Sequence, residues 1–296
     1  MSYNQNKRNT LLQEECAILE HIHLAGDQHI LKLSAPEISA KALPGSFVHI
    51  DCGEQFTLRR PISIMRAVNG NIELLYKKLG SGTAALTTRE IGESINLIGP
   101  IGKPFELHPK KSRPLLIGGG VGMPPMVFIA DTIHNSIQSS SEYRPFVILG
   151  SEAPFPFTAT PSQMMIPGIP DGVIGSMPLL EDWKIPNRLA SLQGYAGTHN
   201  GYVTDLARHW LDSLEDEELA QVEIFSCGPH PMLEAVAKLA TEYNLPCQVS
   251  LEEFMACGVG GCAGCVVQVE TAEGPAMKRV CVDGPVFEAK SVFPNS

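Results

Sequence analysis

The stretch Pro114-Leu-Leu-Ile-Gly-Gly-Gly-Val-Gly122 decides the fold of the central part of the chain. Its first four residues form a continuous apolar run, which is typical of a strand buried on both faces of a parallel sheet. The glycines indicate a tight turn. A helix is predicted from Pro124 or Pro125 to about Asn135, because proline suits the first helical position. A buried strand, a glycine turn and a helix in this order indicate an α/β domain.

Two further apolar runs predict strands of the same parallel sheet. They are Phe146-Val-Ile-Leu149 and Val222-Glu-Ile-Phe225. The second leads through Ser226-Cys-Gly-Pro229 into a predicted helix with apolar residues at helical spacing: Met232, Leu233, Val236, Leu239, Ala240 and Tyr243. Between the two strands, the segment 153–186 carries seven prolines and little periodicity. It is too long for an ordinary connection, so we interpret it as an insertion or a lid.

The region that precedes Pro114 has a different pattern. From Glu14 to about Phe105, six short β-rich runs separated by turns predict a small closed barrel. The candidate strands are Ala17–Leu19, Ile30–Leu33, Phe47–Ile50, Ile62–Ile64, Ile72–Tyr76 and Ile95–Ile98. We therefore predict a β-barrel domain over 1–108, an α/β domain over 109–250 and a separate tail over 251–296. The tail is too small to fold on apolar burial alone.

Composition and charge exclude several classes of function. The 296 residues are 44% hydrophobic and 18% charged, which is enough apolar material for a sizeable core. The net charge of −10 argues against binding to nucleic acid or to an anionic membrane surface. No apolar run approaches the length of a membrane span, and no signal peptide is visible. Four of the eight cysteines fall in the last 40 residues, unlike a secreted disulfide framework. These features predict a cytoplasmic protein.

The tail carries the spacing C-x4-C-x2-C followed sixteen residues later by a fourth cysteine. This spacing is typical of plant-type [2Fe–2S] clusters. Glycines between the cysteines let the loop turn inward, so that backbone N–H groups point at the sulfurs. A hairpin of Val266–Val269 and Arg279–Val282 would return the last cysteine on a strand. A structural zinc site is the alternative, although zinc prefers paired C-x2-C knuckles. The candidate ligands are Cys257, Cys262, Cys265 and Cys281, whereas Cys16, Cys52 and Cys247 are predicted to be core residues.

A second group of residues indicates a flavin site. The run Leu58-Arg-Arg-Pro-Ile-Ser63 lies on a predicted barrel strand, where an arginine can hold a pyrophosphate and a serine can reach a flavin ring. Taken alone, such an arginine pair is more often a solvated surface. Leu75-Tyr-Lys77 on the next strand and the turn Gly80-Ser-Gly-Thr83 strengthen the interpretation. A glycine-rich turn that opens a helix offers free N–H groups to phosphate.

A third group indicates a nicotinamide dinucleotide. The glycine turn after the first sheet strand is predicted to bind it, although Met123 replaces the last glycine of the usual fingerprint and a plain tight turn is the alternative. Glu152 follows the second sheet strand and could accept a hydrogen bond from a ribose 2′-hydroxyl, which favours NAD over NADP. Cys227 precedes a helix N-terminus that could partly activate its thiol, which makes it the candidate catalytic residue. The candidate glycines are Gly118, Gly119, Gly120 and Gly122.

Taken in chain order, these motifs resemble the ferredoxin–NADP reductase superfamily. The resemblance narrows at Leu58–Ile64, at Ser250–Gly258 and at Val280–Phe287, which are similar to the electron-transfer subunits of NAD-dependent dihydroorotate dehydrogenase. It implies an FAD-binding β-barrel, a Rossmann-like parallel-sheet NAD domain and a small C-terminal plant-type [2Fe–2S] domain. It also implies a separate FMN-binding catalytic subunit, in a heterotetramer with two of each chain, that oxidises dihydroorotate during pyrimidine biosynthesis.

The resemblance assigns roles by position. The residues implied to hold FAD are Arg60, Pro61, Ile62, Ser63, Leu75, Tyr76, Lys77, Gly82 and Thr83, and Ile62 stands where many relatives have an aromatic residue. Electrons would pass singly from the partner's FMN through the cluster and collect in pairs on FAD for transfer to NAD⁺. Two alternatives remain open at this point. One is a diaphorase subunit of a hydrogenase or sulfide dehydrogenase, and the other is a non-enzymatic, zinc-bound scaffold.

Overall fold

The first part of the molecule is a closed antiparallel barrel with the strand order β1-β2-β5-β4-β3-β6. The computed structural model describes residues 11–137 and 143–296. The elements of the barrel are β1 (Leu12–Leu24), β2 (Gln28–Ser34), α1 (Pro36–Ser39), β3 (Phe47–Ile50), β4 (Arg60–Val68), β5 (Asn71–Lys77), α2 (Ser81–Leu86) and β6 (Ser94–Ile101). The predicted barrel and its six strands are confirmed. Five of the six strands are longer than predicted, because residues outside the apolar runs also pair with neighbouring strands.

Alternation of side chains fills the barrel interior. Residues such as Leu31, Leu33 and Leu74 point inward and are fully buried. Cys16 and Cys52 lie in the same core, and Cys247 is buried in the neighbouring sheet. The prediction that these three cysteines are buried core residues is therefore confirmed.

The second part is a six-stranded sheet with the order β11-β8-β7-β12-β13-β16, in which the first five strands are parallel. Its strands and those of the inserted segment are β7 (Arg113–Gly119), β8 (Phe146–Gly150), β9 (Thr160–Pro161), β10 (Gly175–Ser176), β11 (Asn187–Ala190), β12 (Val222–Cys227) and β13 (Cys247–Ser250). The helices are α3 (Met123–Ile137), α4 (Pro178–Asp182), α5 (Val203–Leu211), α6 (Asp216–Leu219) and α7 (His230–Glu242). The predicted α/β fold is confirmed. β11 and β13 have only four residues each, which is too short for a periodic signal.

The C-terminal part contains β14 (Val266–Thr271), β15 (Gly274–Arg279), α8 (Val280–Asp283), β16 (Val286–Glu288) and α9 (Ala289–Val292). The sequence suggested that this part is a separate tail. The structure instead joins it to the sheet, because β16 pairs antiparallel with β13 from Gln248↔Glu288 to Ser250↔Val286. A segment this small gains its stability from the larger core it joins. The boundaries at 108 and 250 stay predictions. None of the helices in the described ranges is long and apolar enough to cross a membrane.

The proline-rich segment 153–186 is packed against the sheet beside β11. The guanidinium of Arg188, which is 4% exposed, donates hydrogen bonds to the carbonyl oxygens of Val173 (2.9 Å) and Met164 (2.6 Å). A buried cation that is bonded in this way holds both parts of the segment in place. The segment is thus an ordered addition to the sheet, and a function as a lid stays a prediction.

The barrel contacts the sheet domain through α3. Arg66 of β4 lies 3.2 Å from the buried carboxylate of Asp131 on α3. Burial raises the pKa of Asp131, and the Arg66 charge opposes that rise. The guanidinium of Arg66 also lies 5.1 Å from the centre of the Trp183 ring, which stacks on His134 of α3. The barrel, α3 and the inserted segment therefore meet at one point.

Candidate redox site

A cavity of about 900 Å³ lies where the barrel meets the C-terminal part of the chain. Its volume is near the upper end of the range for small-molecule sites. Eight of the nine residues implied to hold FAD line it, and the ninth, Gly82, contacts one of them. The opposite wall is formed by residues that the motif analysis did not assign a role: Ser250, Leu251, Glu252, Glu253, Phe254, Met255 and Ala256. The structure therefore brings the predicted flavin residues together.

Residues of β4 face alternately toward the barrel core and toward the outer face. Ile62 and Ile64 pack in the barrel core, whereas Ser63 is half-buried and pairs with Phe47 of β3. Alternation along a strand sends Pro61 and Ser63 to the outer face. Ile62 thus contributes to the barrel core as well as to the cavity wall.

The two adjacent arginines have different partners. Arg59 donates hydrogen bonds to the backbone oxygen (2.9 Å) and the side-chain oxygen (2.6 Å) of Asn96, and so ties the start of β4 to β6. Arg60 donates to the carbonyl oxygen of Leu58 at 2.6 Å, and its guanidinium lies against Gly82. The charge of Arg59 is used in holding the barrel. Both arginines line the cavity, but the hydrogen bonds described for Arg60 go only to carbonyl oxygens of the two preceding residues, so we expect its charge to be the one available to an anion.

The turn before α2 forms a cradle beside Arg60. The hydroxyl of Thr83 accepts hydrogen bonds from the backbone N–H of Leu79 (2.9 Å) and of Gly80 (3.2 Å), which fixes the turn. A Cβ atom on Gly82 would lie 2.8–2.9 Å from the guanidinium of Arg60, so only glycine allows this approach. An arginine held against glycine backbone fits the binding of a pyrophosphate.

The four tail cysteines lie on one loop and on the short helix that follows the hairpin. Cys262 is exposed and Cys257 is half-buried, whereas Cys265 and Cys281 are buried. The hairpin of β14 and β15 is confirmed. The expectation that Cys281 lies on the returning strand is wrong, because β15 ends at Arg279 and Cys281 lies in α8. Asp283 accepts a hydrogen bond from the backbone N–H of Arg279 at 2.9 Å, which stabilises the start of this helix.

Backbone N–H groups point at the sulfurs, as the glycine content predicted. The N–H of Gly264 donates to Sγ of Cys262, and the N–H of Cys281 donates to Sγ of Cys265, both at 3.4 Å. Burial raises the pKa of Cys257, but backbone hydrogen bonds, led by that from Val259, outweigh it and bring the pKa to about 6. Burial and the neighbouring Cys265 raise the pKa of Cys281 to about 12. A cysteine that binds a metal ion is a thiolate, so bound iron would oppose the raised pKa of Cys281.

The cysteine loop lies directly against the barrel. A Cβ atom on Gly258 would be 2.8 Å from the ring of His49 on β3, and Gly258 has a φ of +65°. His49 is 1% exposed, and its Nε2 atom has no hydrogen-bond partner among the described residues. Burial, then the charges of Arg59 and Arg60, lower the pKa of His49 to about 4, so its ring is neutral. The neutral ring forms a flat contact surface for the loop backbone.

The glycine turn after β7 is packed against the Cys227 loop. A Cβ atom on Gly122 would lie 2.3 Å from the carbonyl oxygen of Cys227, whereas one on Gly120, with a φ of +56°, would meet no atom within 4 Å. The register Gly119↔Gly150 brings the exposed Glu152 to the same end of the sheet. The structure therefore places the predicted dinucleotide residues at one edge, as expected for the carboxyl ends of parallel strands.

The expectation that the helix N-terminus activates Cys227 is wrong. The side chain is 1% exposed, and burial and then Glu252 raise the pKa of its thiol well above the ordinary value. Burial is the largest cause of this rise in pKa. A catalytic role for Cys227 stays a prediction, and the described contacts give it a part in shaping the turn.

Comparisons with known proteins agree with this geometry. Residues 252–293 match the iron–sulfur cluster binding domain of dihydroorotate dehydrogenase B. The structure of an NADH-dependent reduced ferredoxin–NADP oxidoreductase shares the fold, with a TM-score of 0.73 and 24% identity over 94% of this chain and 90% of that one. The chain thus has the fold of the ferredoxin–NADP reductases together with an iron–sulfur binding segment, and its cofactors are FAD, a [2Fe–2S] cluster and NAD(H).

Two curated relatives identify the family within this class. The electron transfer subunit of dihydroorotate dehydrogenase B (NAD⁺) from Caldanaerobacter subterraneus subsp. tengcongensis is 32% identical, over 86% of this chain and 88% of its own. That from Geobacillus sp. (strain WCH70) is also 32% identical, over 95% of this chain and 98% of its own. The chain belongs to the family of these electron transfer subunits. The family favours our main interpretation over the hydrogenase diaphorase and the zinc scaffold.

The wall formed by Ser250–Ala256 is the part of the site that the motif analysis did not assign. A signal was present, because the same stretch carries part of the family resemblance. Its spacing predicts neither a strand nor a helix, and only the fold shows that it faces the barrel across the cavity.

We predict that Gly258→Ala lowers the cluster content of the purified protein. The added methyl group would overlap the His49 ring and also occupy a left-handed backbone, and each effect costs about 1–2 kcal/mol. Iron and acid-labile sulfide per chain measure the outcome. Gly172→Ala is the matched control, because Gly172 has a φ of +81° and no atom within 4 Å of the added Cβ. Equal loss of cluster in the two variants would show that the His49 contact has no effect.

Proposed function

We propose that this chain transfers electrons to NAD⁺ from a partner subunit that oxidises dihydroorotate, in pyrimidine biosynthesis. One observation carries the proposal. Gly264, which lies between two candidate cluster ligands, lines the same cavity as Arg60 and Ser63. The cysteine loop and the flavin residues therefore line one cavity, which supports direct electron transfer between the two redox sites. When bound, the cluster takes up single electrons and the flavin couples them to a two-electron hydride transfer.

The residues of the chain hold and orient the cofactors in this proposal. Arg60 and the turn at Gly82 and Thr83 bind the FAD pyrophosphate, and β4 and β5 supply the remaining contacts: Pro61, Ile62, Ser63, Leu75, Tyr76 and Lys77. The cluster ligands are Cys257, Cys262, Cys265 and Cys281. The edge formed by Gly118, Gly119, Gly120, Gly122 and Glu152 binds NAD, and the carboxyl end of β12 at Cys227 completes this edge.

The partner subunit docks, we propose, on the face around the cysteine loop. Cys262 is exposed there, and the same part of the chain exposes large apolar side chains at Phe254 (95%) and Met277 (65%). Exposed apolar groups of this size are typical of interaction surfaces. In the proposed assembly, the partner carries FMN and two copies of each subunit form a heterotetramer.

The eight free cysteines support a cytoplasmic location.

The test of the function is Cys262→Ser. Loss of one thiolate from a four-ligand site prevents cluster assembly, while the pairing of β16 with β13 keeps the segment folded. We expect iron to be lost and FAD to be retained. Reduction of a dye by NADH should continue, whereas reduction of NAD⁺ by dihydroorotate in the complex with the FMN subunit should stop. Dihydroorotate-dependent NAD⁺ reduction without iron would contradict the proposed route.

The two arginines give a second prediction. Arg60→Ala should weaken FAD binding by roughly ten- to a hundredfold, the effect of losing a charge-assisted hydrogen bond to phosphate. Arg59→Ala is the matched control, since Arg59 is bonded to Asn96, and we expect it to lower the melting temperature more than the FAD affinity. Titration of the apoprotein with FAD measures both variants. Equal effects on FAD affinity would place both guanidinium groups at the phosphate.

The third prediction concerns the choice of nicotinamide. A carboxylate at Glu152 would accept a hydrogen bond from the 2′-hydroxyl of NADH and repel the 2′-phosphate of NADPH. We expect wild-type kcat/KM to favour NADH and Glu152→Ala to narrow that preference. Glu217→Ala removes an exposed carboxylate on α6 and serves as the control. Undiminished selectivity for NADH in the Glu152 variant would exclude this residue as the determinant.

A further inference from the structure

Three histidines converge at one end of the barrel, in a place that the redox site does not use. His21 and His23 lie two residues apart on β1, and His29 of β2 pairs directly with His23. The ring centres of His21 and His23 are 4.7 Å apart, and those of His23 and His29 are 4.8 Å apart. One nitrogen from each ring lies within 4.8 Å of the others. The group is formed by a hairpin, so it is present whenever the barrel is folded.

His29 is the residue that suggests a ligand. It is 6% exposed, and neither of its ring nitrogens has a hydrogen-bond partner among the described residues. A buried polar group without a partner costs free energy that folding ordinarily avoids. A neutral imidazole keeps one nitrogen lone pair that can bind a ligand.

His21 is held in the orientation that metal ligands require. Its Nδ1 atom lies 2.9 Å from the carbonyl oxygen of Arg89, which only accepts hydrogen bonds, so Nδ1 carries the proton. Its Nε2 atom therefore has the lone pair, and accepts a hydrogen bond from the Tyr76 hydroxyl at 2.9 Å. A second nitrogen bonded to a backbone carbonyl is the usual means by which proteins fix the tautomer of a metal-binding histidine.

We propose that His21, His23 and His29 form a binding site for a divalent transition-metal ion, with Zn²⁺ as its representative. Neutral imidazoles are ligands for Zn²⁺, Ni²⁺ and Cu²⁺. Three imidazole nitrogens on a tetrahedral zinc lie roughly 3.4 Å apart, at zinc–nitrogen distances of about 2.0–2.1 Å. The three ring nitrogens lie within 4.8 Å of one another, so binding requires the rings to move closer together; His23 is exposed and can rotate, and His21 can shift once the Tyr76 hydroxyl is displaced. Water completes the coordination, and the Tyr76 hydroxyl is displaced from Nε2 of His21.

The experiment is a zinc titration of the untagged holoenzyme. Equilibrium dialysis against micromolar ZnCl₂, followed by elemental analysis, should give one zinc per chain. The FAD and cluster absorption bands should stay unchanged, which shows that zinc has not entered the cysteine site. Absence of stoichiometric zinc, or its uptake with matching loss of iron, would overturn the proposal.

Two variants test the ligands. His29→Gln should weaken zinc binding at least a hundredfold, since removal of a partner of a ligand alone costs about 10–100-fold. His23→Gln removes an exposed ligand without disturbing the core, so it tests the site even where His29→Gln fails to fold. His230→Gln removes an exposed imidazole on α7 and is the matched control. Wild-type affinity in the His23 variant, or equal loss in the His230 control, would overturn the assignment.

The variant Tyr76→Phe tests whether zinc displaces the Tyr76 hydroxyl from Nε2 of His21. The substitution frees the lone pair on Nε2 of His21, so zinc should bind this variant at least as tightly as the wild type. Loss of binding would instead make the Tyr76 hydroxyl a ligand and overturn the three-imidazole site. The measurement is the same dialysis, with the FAD content recorded in parallel because Tyr76 also lines the flavin cavity.

Discussion

The arrangement of the site depends on three backbone pairs between β16 and β13. They join the end of the cysteine segment to the edge of the parallel sheet, in an antiparallel register from Gln248↔Glu288 to Ser250↔Val286. From the end of β13, the chain continues along the cavity wall as Ser250–Ala256 and then enters the cysteine loop at Cys257. Further backbone hydrogen bonds, such as that from Leu251 to Pro285 at 2.9 Å, hold this path. The distance between the cysteine loop and the flavin cavity is thereby fixed by the sheet.

Glycine allows close contact where these parts touch one another. Gly258 lies against His49, Gly82 lies against Arg60 and Gly122 lies against the carbonyl of Cys227. Each contact joins a loop with a proposed cofactor role to a rigid strand or side chain. A loop held at van der Waals distance along its backbone loses little freedom when a ligand binds, which is the physical basis of preorganisation. These contacts therefore position the loops through their backbones.

The sequence predicted the parts of the fold that have a strong local signal. The six barrel strands follow from β-rich runs between turns, and β7, β8 and β12 follow from continuous apolar runs. α7 follows from apolar residues at helical spacing, and the cluster motif follows from cysteine spacing. The pairing of β16 with β13 was not predictable, because three residues carry no period and their partner lies about 40 positions away. The state of Cys227 was misjudged for a related reason. Its position before a helix is visible in sequence, whereas its burial is a property of the assembled core.

The histidine group had a signal that motif reasoning overlooked. An H-x-H pattern on one strand and a third histidine just after the turn place three rings on one face of a hairpin. Only the structure shows that His29 is buried without a hydrogen-bond partner among the described residues. The flavin residues that line the cavity were, by contrast, recognised from their sequence motifs. The resemblance already implied a role at FAD for Arg60 and none for Arg59; the structure adds that Arg59 is bonded to Asn96 and that Arg60 lies against Gly82.

The position of Trp183 provides an intrinsic optical probe of how the two large parts of the molecule are joined. Its indole stacks on His134 of α3 and lies under the guanidinium of Arg66 from the barrel, while Trp210, the other tryptophan, packs in the sheet core against Phe146. Separation of the barrel from α3 would change the surroundings of one indole and leave the other unaltered. Tryptophan emission therefore distinguishes loosening of this junction from unfolding of the sheet, without any attached label.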